Sequence, residues 1–214
     1  MNDSRLIVTV GLALSLFAVP AFAATGVSER MEAAYRASLA VQEAYQEDGS
    51  EALAGMRQVL EEADAHLAEA ERMVQGEERL VPGIRTVRAN IRTILDQGGV
   101  KDPTLVDENV IKMHALTINS ELLAATDRLD QAVSAVEKGR FDHALSIIDE
   151  ADQILASAMR RGGYHVTNDR DEIELARVLL SDSGDAAAGA ARDNLVERIA
   201  EVRDHMFELG TVSR

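Results

Sequence analysis

Residues 53–74 read LAGMRQVLEEADAHLAEAERMV, and residues 141–162 read FDHALSIIDEADQILASAMRRG. The block Val59-Leu60-Glu61-Glu62-Ala63-Asp64 returns as Ile147-Ile148-Asp149-Glu150-Ala151-Asp152 at an offset of 88, and the match runs on through Leu67-Ala68 and Leu155-Ala156 to Ala70 and Ala158. In both copies the apolar residues step by three and four, which is the seam of an amphipathic helix. Each copy follows a stretch that ends at a glycine, Gly49 or Gly139. A weaker third copy surrounds Gly184. Stripes of this kind cannot bury an apolar face alone and must stack against one another. The reading is favoured over chance likeness among Ala/Glu-rich helices. It predicts an all-α fold, an antiparallel helical bundle built from about three helical hairpins.

The rest of the chain follows the same period. Met31, Tyr35 and Leu39 step by four from a cap at Ser28; Ser50 is the expected cap of the next helix. Ile84, Val87, Ile91 and Ile94 form a stripe that opens after Pro82-Gly83 and closes at Gly98-Gly99. A long helix is expected from about Thr104 to Lys138. Its segment Asn109–Ala115 alternates and is β-branched enough to be extended, but is read as helical. Two further helices are expected over Asp169–Leu180 and Asp185–Leu209.

Composition narrows the function. The chain has 214 residues, 37 acidic against 22 basic side chains, a net charge of −15, no cysteine and 3% aromatics. Disulfides, thiolate metal sites and cysteine nucleophiles are excluded. So strong a negative charge argues against nucleic acid as a partner, since phosphate binding needs basic side chains. At the N-terminus an apolar run, Leu6–Val19, follows Arg5 and leads to Pro20-Ala21-Phe22-Ala23. Small residues at Ala21 and Ala23 predict a signal peptide, residues 1–23, cleaved after Ala23. The run is shorter than the roughly 20 residues needed to cross a bilayer. Export to a periplasm, a single helical-bundle domain over 24–214 and no membrane span after processing are the expectations.

Chemistry is sparse. Glu62-His66-Glu69 and Glu201-His205-Glu208 both read E-x3-H-x2-E, which places three possible metal ligands on one helix face. In a chain with so many carboxylates, a solvated face is the favoured reading of both. Met113-His114 and His205-Met206 suggest copper less well than core packing. Arg85, Arg88 and Arg92 share a face, with Arg79 just before it, and an internal ion-pair network is expected there. Arg160-Arg161-Gly162-Gly163-Tyr164-His165 is a basic loop and a candidate ligand site through Arg160, Arg161, Tyr164 and His165. No nucleophile motif, phosphate loop or H-E-x-x-H occurs, so no catalytic residue and no cofactor is expected.

Three groups of residues carry a family resemblance. They are Ala40-Val41-Gln42 leading to Gly49; Val110-Ile111-Lys112-Met113-His114-Ala115 with Ser120-Glu121 and Ala124-Ala125-Thr126; and Tyr164 followed by Glu174-Leu175-Ala176. With them the chain resembles the YfdX-like family of small exported helical proteins. It departs from that pattern in having no proline after Tyr164 and no lysine-rich middle loop. The resemblance implies a periplasmic all-α protein without assigned catalysis, associated with acid or drug stress, and a homo-oligomer. The expected function is thus a non-enzymatic binding or interaction protein with a small molecule or protein client. A chaperone-like bundle and a metal-binding bundle are the alternatives.

Overall fold

A computed structural model describes residues 21–49, 53–74, 80–99, 101–162 and 167–183, and residues 193, 196, 197, 199–202, 204 and 205. Six helices occupy it: α1 (Ala21–Asp48), α2 (Leu53–Met73), α3 (Val81–Asp96), α4 (Thr104–Glu137), α5 (Phe141–Arg160) and α6 (Thr167–Ser183). The scattered residues 193–205 are helical too, and no strand occurs among the described residues. The fold is all-α. Residues 1–20, Ser50 and the third repeat copy lie outside the described residues.

Helix ends fall where the local chemistry sets them. Asp102 accepts hydrogen bonds from the Thr104 amide (3.0 Å) and hydroxyl (2.6 Å), which opens α4. At the end of α4, Gly139 has φ +69°, its amide donates to Val136 and the Arg140 amide donates to Ala135. Gly98 (φ +68°) closes α3 in the same way, with Gly98 donating to Leu95 and Gly99 to Ile94. Both are the paired C-terminal bonds that require a left-handed residue. Ser28 is not a cap. α1 begins at Ala21 and passes through it, because packing of Val27 and Met31 holds the preceding turn in the helix. Asn109–Ala115 is helical within α4, its Asn109 and Met113 turned inward.

Successive helices run antiparallel. Gln42 of α1 meets Asp107 of α4, while Tyr35 stacks near His114 and Arg30 reaches Glu69 of α2. α1 and α3 each pack on both α2 and α4, so α1–α4 close a four-helix ring. α5 packs on α4, and α6 on α5. The apolar residues accordingly form two clusters. One joins α1, α2, α3 and the first half of α4, through Met31, Leu67, Ile84, Ile91 and Met113. The other joins the second half of α4 to α5, α6 and the helical residues Ile199 and Val202, through Leu129, Ile148, Leu155 and Leu180.

α4 therefore belongs to both clusters. Its middle, from Leu116 to Thr126, is buried at almost every position, as expected of a helix surrounded by others rather than lying on a surface. The repeat has the same logic. Ala63 and Ala151, Leu67 and Leu155, and Ala70 and Ala158 are all buried. Asp64 binds Arg88 on the following helix, and Asp152 binds Arg170 on its following helix.

No described helix is long and apolar enough to cross a membrane.

Candidate functional site

Three places gather polar or accessible groups. The first is the middle of α4. Glu121 is the only charged residue between Met113 and Thr126, and its side chain is 7% exposed. Its Oε1 accepts from the Ser157 hydroxyl (2.8 Å) and from Arg161 Nε (3.1 Å). Arg161 also pairs through Nη2 with Glu32 of α1, and Glu32 in turn accepts from Arg36 at 2.7 Å. One guanidinium at the end of α5 thus ties α1, α4 and α5 together. Glu121 Oε2 is buried without a hydrogen bond among the described residues. Around it Thr117 donates to the Met113 carbonyl, Ser120 to Thr117 and Thr126 to Leu122. These local bonds satisfy hydroxyls that the packed helices would otherwise leave unpaired.

The second place is the start of α6. Asp169 is 6% exposed and its Oδ1 lies 2.6 Å from Nδ1 of the half-exposed His205. The neighbouring Arg170 binds Asp152 through two bonds, at 2.6 and 2.9 Å.

The third place is the outer side of α5 and α6. A groove of about 680 Å³ lies between the start of α5 and the end of α6, lined by Arg140, Phe141, Asp142, His143, Leu145 and Leu180 among others. On its opposite, outer face α6 exposes Leu175 (40%), Val178 (45%) and Leu179 (37%), while Ile173, Ala176 and Leu180 face inward.

The two candidate metal faces meet other partners. Arg30 lies 3.4 Å from His66 Nδ1 and 3.1 Å from Glu69, and Glu62 accepts from Gln58. A guanidinium on the ligands repels a cation, so the Glu62–His66–Glu69 face is an ion-pair surface between α1 and α2. His205 turns to Asp169, Glu201 is exposed, and Glu208 lies outside the described residues. Among the described residues no three His, Asp or Glu side chains gather to hold a metal. Met113 is fully buried, and His114 lies 5.7 Å from the Tyr35 ring. Neither forms a copper site with the other.

The basic stripe is an ion-pair network. Arg88 Nε donates to Asp64 (2.8 Å) and its Nη1 to Glu71 (2.5 Å), with Arg85 on Glu71 and Arg92 on Asp64. Burial raises the Asp64 pKa, but hydrogen bonds from Arg88 and Arg92 outweigh it and hold the group below its ordinary 3.8. The hydrogen bond from Arg85 leads in holding Glu71 below 4.5. Arg79 lies outside the described residues. Of the basic loop, Arg160 is exposed and Arg161 is committed to Glu32 and Glu121. Tyr164 and His165 lie outside the described residues.

Comparison with family models, curated proteins and solved structures gives no match.

Two features were missed in the sequence. Glu121 as a buried carboxylate had a signal, its isolation in a charge-poor stretch. Leu175-Ala176-Arg177-Val178-Leu179-Leu180 had one as well, being apolar on both faces of a helix where one face suffices for the core.

Proposed function

We propose that the chain is a non-enzymatic, exported binding or interaction protein of the periplasm, associated with stress and of YfdX-like type. The observation that carries this reading is the division of labour among its side chains. The ion-paired groups of the interior and of the α2–α3 face hold helices to one another: Glu121 with Arg161, Asp64 and Glu71 with Arg88, Asp152 with Arg170. The accessible groove lies between α5 and α6 and the exposed apolar residues lie on the outer face of α6, where a partner reaches either without disturbing the packing.

Export is supported by where the core begins. Among the described side chains of α1, Val27 and Met31 are the first that are buried, so cleavage after Ala23 removes none of the described core. The processed N-terminus is Ala24, read by N-terminal sequencing of protein from a periplasmic extract. An N-terminus at Met1 on a membrane-bound product contradicts export with cleavage.

Binding is tested by suppression of aggregation of a denatured client protein at substoichiometric amounts, which would also favour the chaperone-like form of the same reading. Light scattering across pH 5 to 8 tests the acid-responsive oligomer. A monomer of unchanged size and stability that protects no client defeats the reading.

A further inference from the structure

We infer that the groove between α5 and α6 binds short apolar peptides with free termini; the inference rests on the binding reading above and names its ligand class. The groove has a volume of about 680 Å³ and an apolar wall of Phe141, Leu145 and Leu180. Arg140 and Asp142 are the two formally charged side chains among its described lining residues. Both are exposed, and neither makes an ion pair or a side-chain hydrogen bond among the described residues, with the other or with a neighbour. By contrast both guanidiniums of α6 are paired, Arg170 with Asp152 and Arg177 with Asp149 and Glu174.

The internal repeat shows why the groove is open. At the offset of 88, Leu145 stands where α2 has Arg57. Arg57 pairs with Glu61 at 3.4 Å and donates through Nη2 to the Leu95 carbonyl at 3.3 Å. An arginine thus ties the start of α2 to the end of α3. Leu145 has neither the reach nor a donor, so the matching gap between the start of α5 and the end of α6 keeps an apolar floor.

Chemistry selects the occupant. One unpaired cation, one unpaired anion and an apolar wall complement a molecule with the same three parts. A simple anion is repelled by Asp142, a simple cation by Arg140, and a neutral apolar molecule uses neither. A free peptide offers its terminal carboxylate to the Arg140 guanidinium, whose fork matches a carboxylate. Its terminal ammonium falls to Asp142, and its side chains cover Phe141, Leu145 and Leu180. Pockets of about 300–1,000 Å³ enclose drug-sized molecules, a size that about two or three residues match and one amino acid does not fill.

The test uses the full processed chain, with trileucine as the probe and N-acetyl-trileucine amide, which lacks both charges, as the control. Calorimetric titration gives saturable binding of trileucine and binding about threefold or more weaker for the control, a modest ratio because both side-chain charges are exposed. Arg140→Gln weakens binding of trileucine but not of trileucine amide, which has no carboxylate. Asp142→Asn weakens binding of trileucine but not of N-acetyl-trileucine, which has no ammonium. Each end of the peptide is thereby assigned to its own residue. Leu145→Arg, which copies Arg57, closes the groove and abolishes binding of every form. Arg140 and Asp142 are exposed, so far-UV circular dichroism and the unfolding midpoint stay unchanged in their variants, which decide the matter even if Leu145→Arg does not fold.

Equal binding of trileucine and its doubly blocked form, or binding untouched by Arg140→Gln and Asp142→Asn, overturns the inference. So does full binding by a folded Leu145→Arg variant. If trileucine binding is absent while client protection persists, the ligand class is wrong and the binding reading stands. If both are absent, both fall.

Discussion

Replacing Arg161 with Met removes the one guanidinium that reaches both Glu32 and Glu121 while keeping the length of the aliphatic stem. Glu121 is then a carboxylate at 7% exposure with only the Ser157 hydroxyl left to it. Breaking a buried pair by removing one partner costs about 3–5 kcal/mol. Arg161 itself is 23% exposed and Glu121 keeps one hydrogen bond, so the lower end, about 3 kcal/mol, is expected. With a urea m-value of about 2.5 kcal/mol/M, the midpoint falls by about 1.2 M. Glu121→Gln added to Arg161→Met removes the stranded charge and recovers about 2 kcal/mol of the loss. Urea unfolding of the four proteins of this cycle, followed by circular dichroism, measures both numbers. A midpoint shift below about 0.4 M for Arg161→Met, or no recovery in the double variant, refutes the claim that Glu121 is held by Arg161 in the interior.

Other consequences concern the helix contacts. Asp64 and Glu71 are held below their ordinary values of 3.8 and 4.5, so their contribution to stability is full above those values and is lost as pH falls through the lower folded values. Arg88→Ala therefore destabilises at pH 7 and flattens the acid limb of a stability–pH curve below about pH 4.5; an unchanged acid limb counts against the network. Leu129→Ala, at a site with no exposure, lowers stability by about 3–5 kcal/mol through the cavity left between α4 and α5, measured by the same unfolding assay. Gly83→Ala places a methyl group 2.8 Å from Leu116 Cδ2 and 3.4 Å from its Cγ, and the overpacking lowers stability by about 1 kcal/mol or more. A stabilised Gly83→Ala variant shows that α3 and α4 are farther apart than described.

Helices were legible in the sequence because each carries its own period and its own stop. Gly98 and Gly139 ended α3 and α4 in the expected places, and Thr104 to Lys138 was read within one residue of α4. The start of α1 was misplaced because Ser28 has the chemistry of a cap. Only the burial of Val27 and Met31 against distant residues shows that the helix continues past it. The stripe of Arg85, Arg88 and Arg92 indicated a network, but its acceptors, Asp64 and Glu71, lie on another helix and follow from packing.

Sites were less legible for the same reason. Spacing along one helix put Glu62, His66 and Glu69 on a common face, yet Arg30 of α1 occupies that face from across the interface. His205 is likewise claimed by Asp169, 36 residues away. A periodic pattern records which residues share a face; it does not record what the neighbouring helix brings to it.

The central structural claim is that α4 is the shared element of both clusters, with its middle enclosed on all sides. Native-state hydrogen exchange along α4 tests it most directly. Amides between Leu116 and Thr126 should be the slowest in the chain, exchanging only through global unfolding, while those near Thr104–Ile111 exchange sooner. Middle amides that exchange as fast as the exposed first turns, or through an opening of α5 and α6 that leaves α1–α3 protected, contradict it.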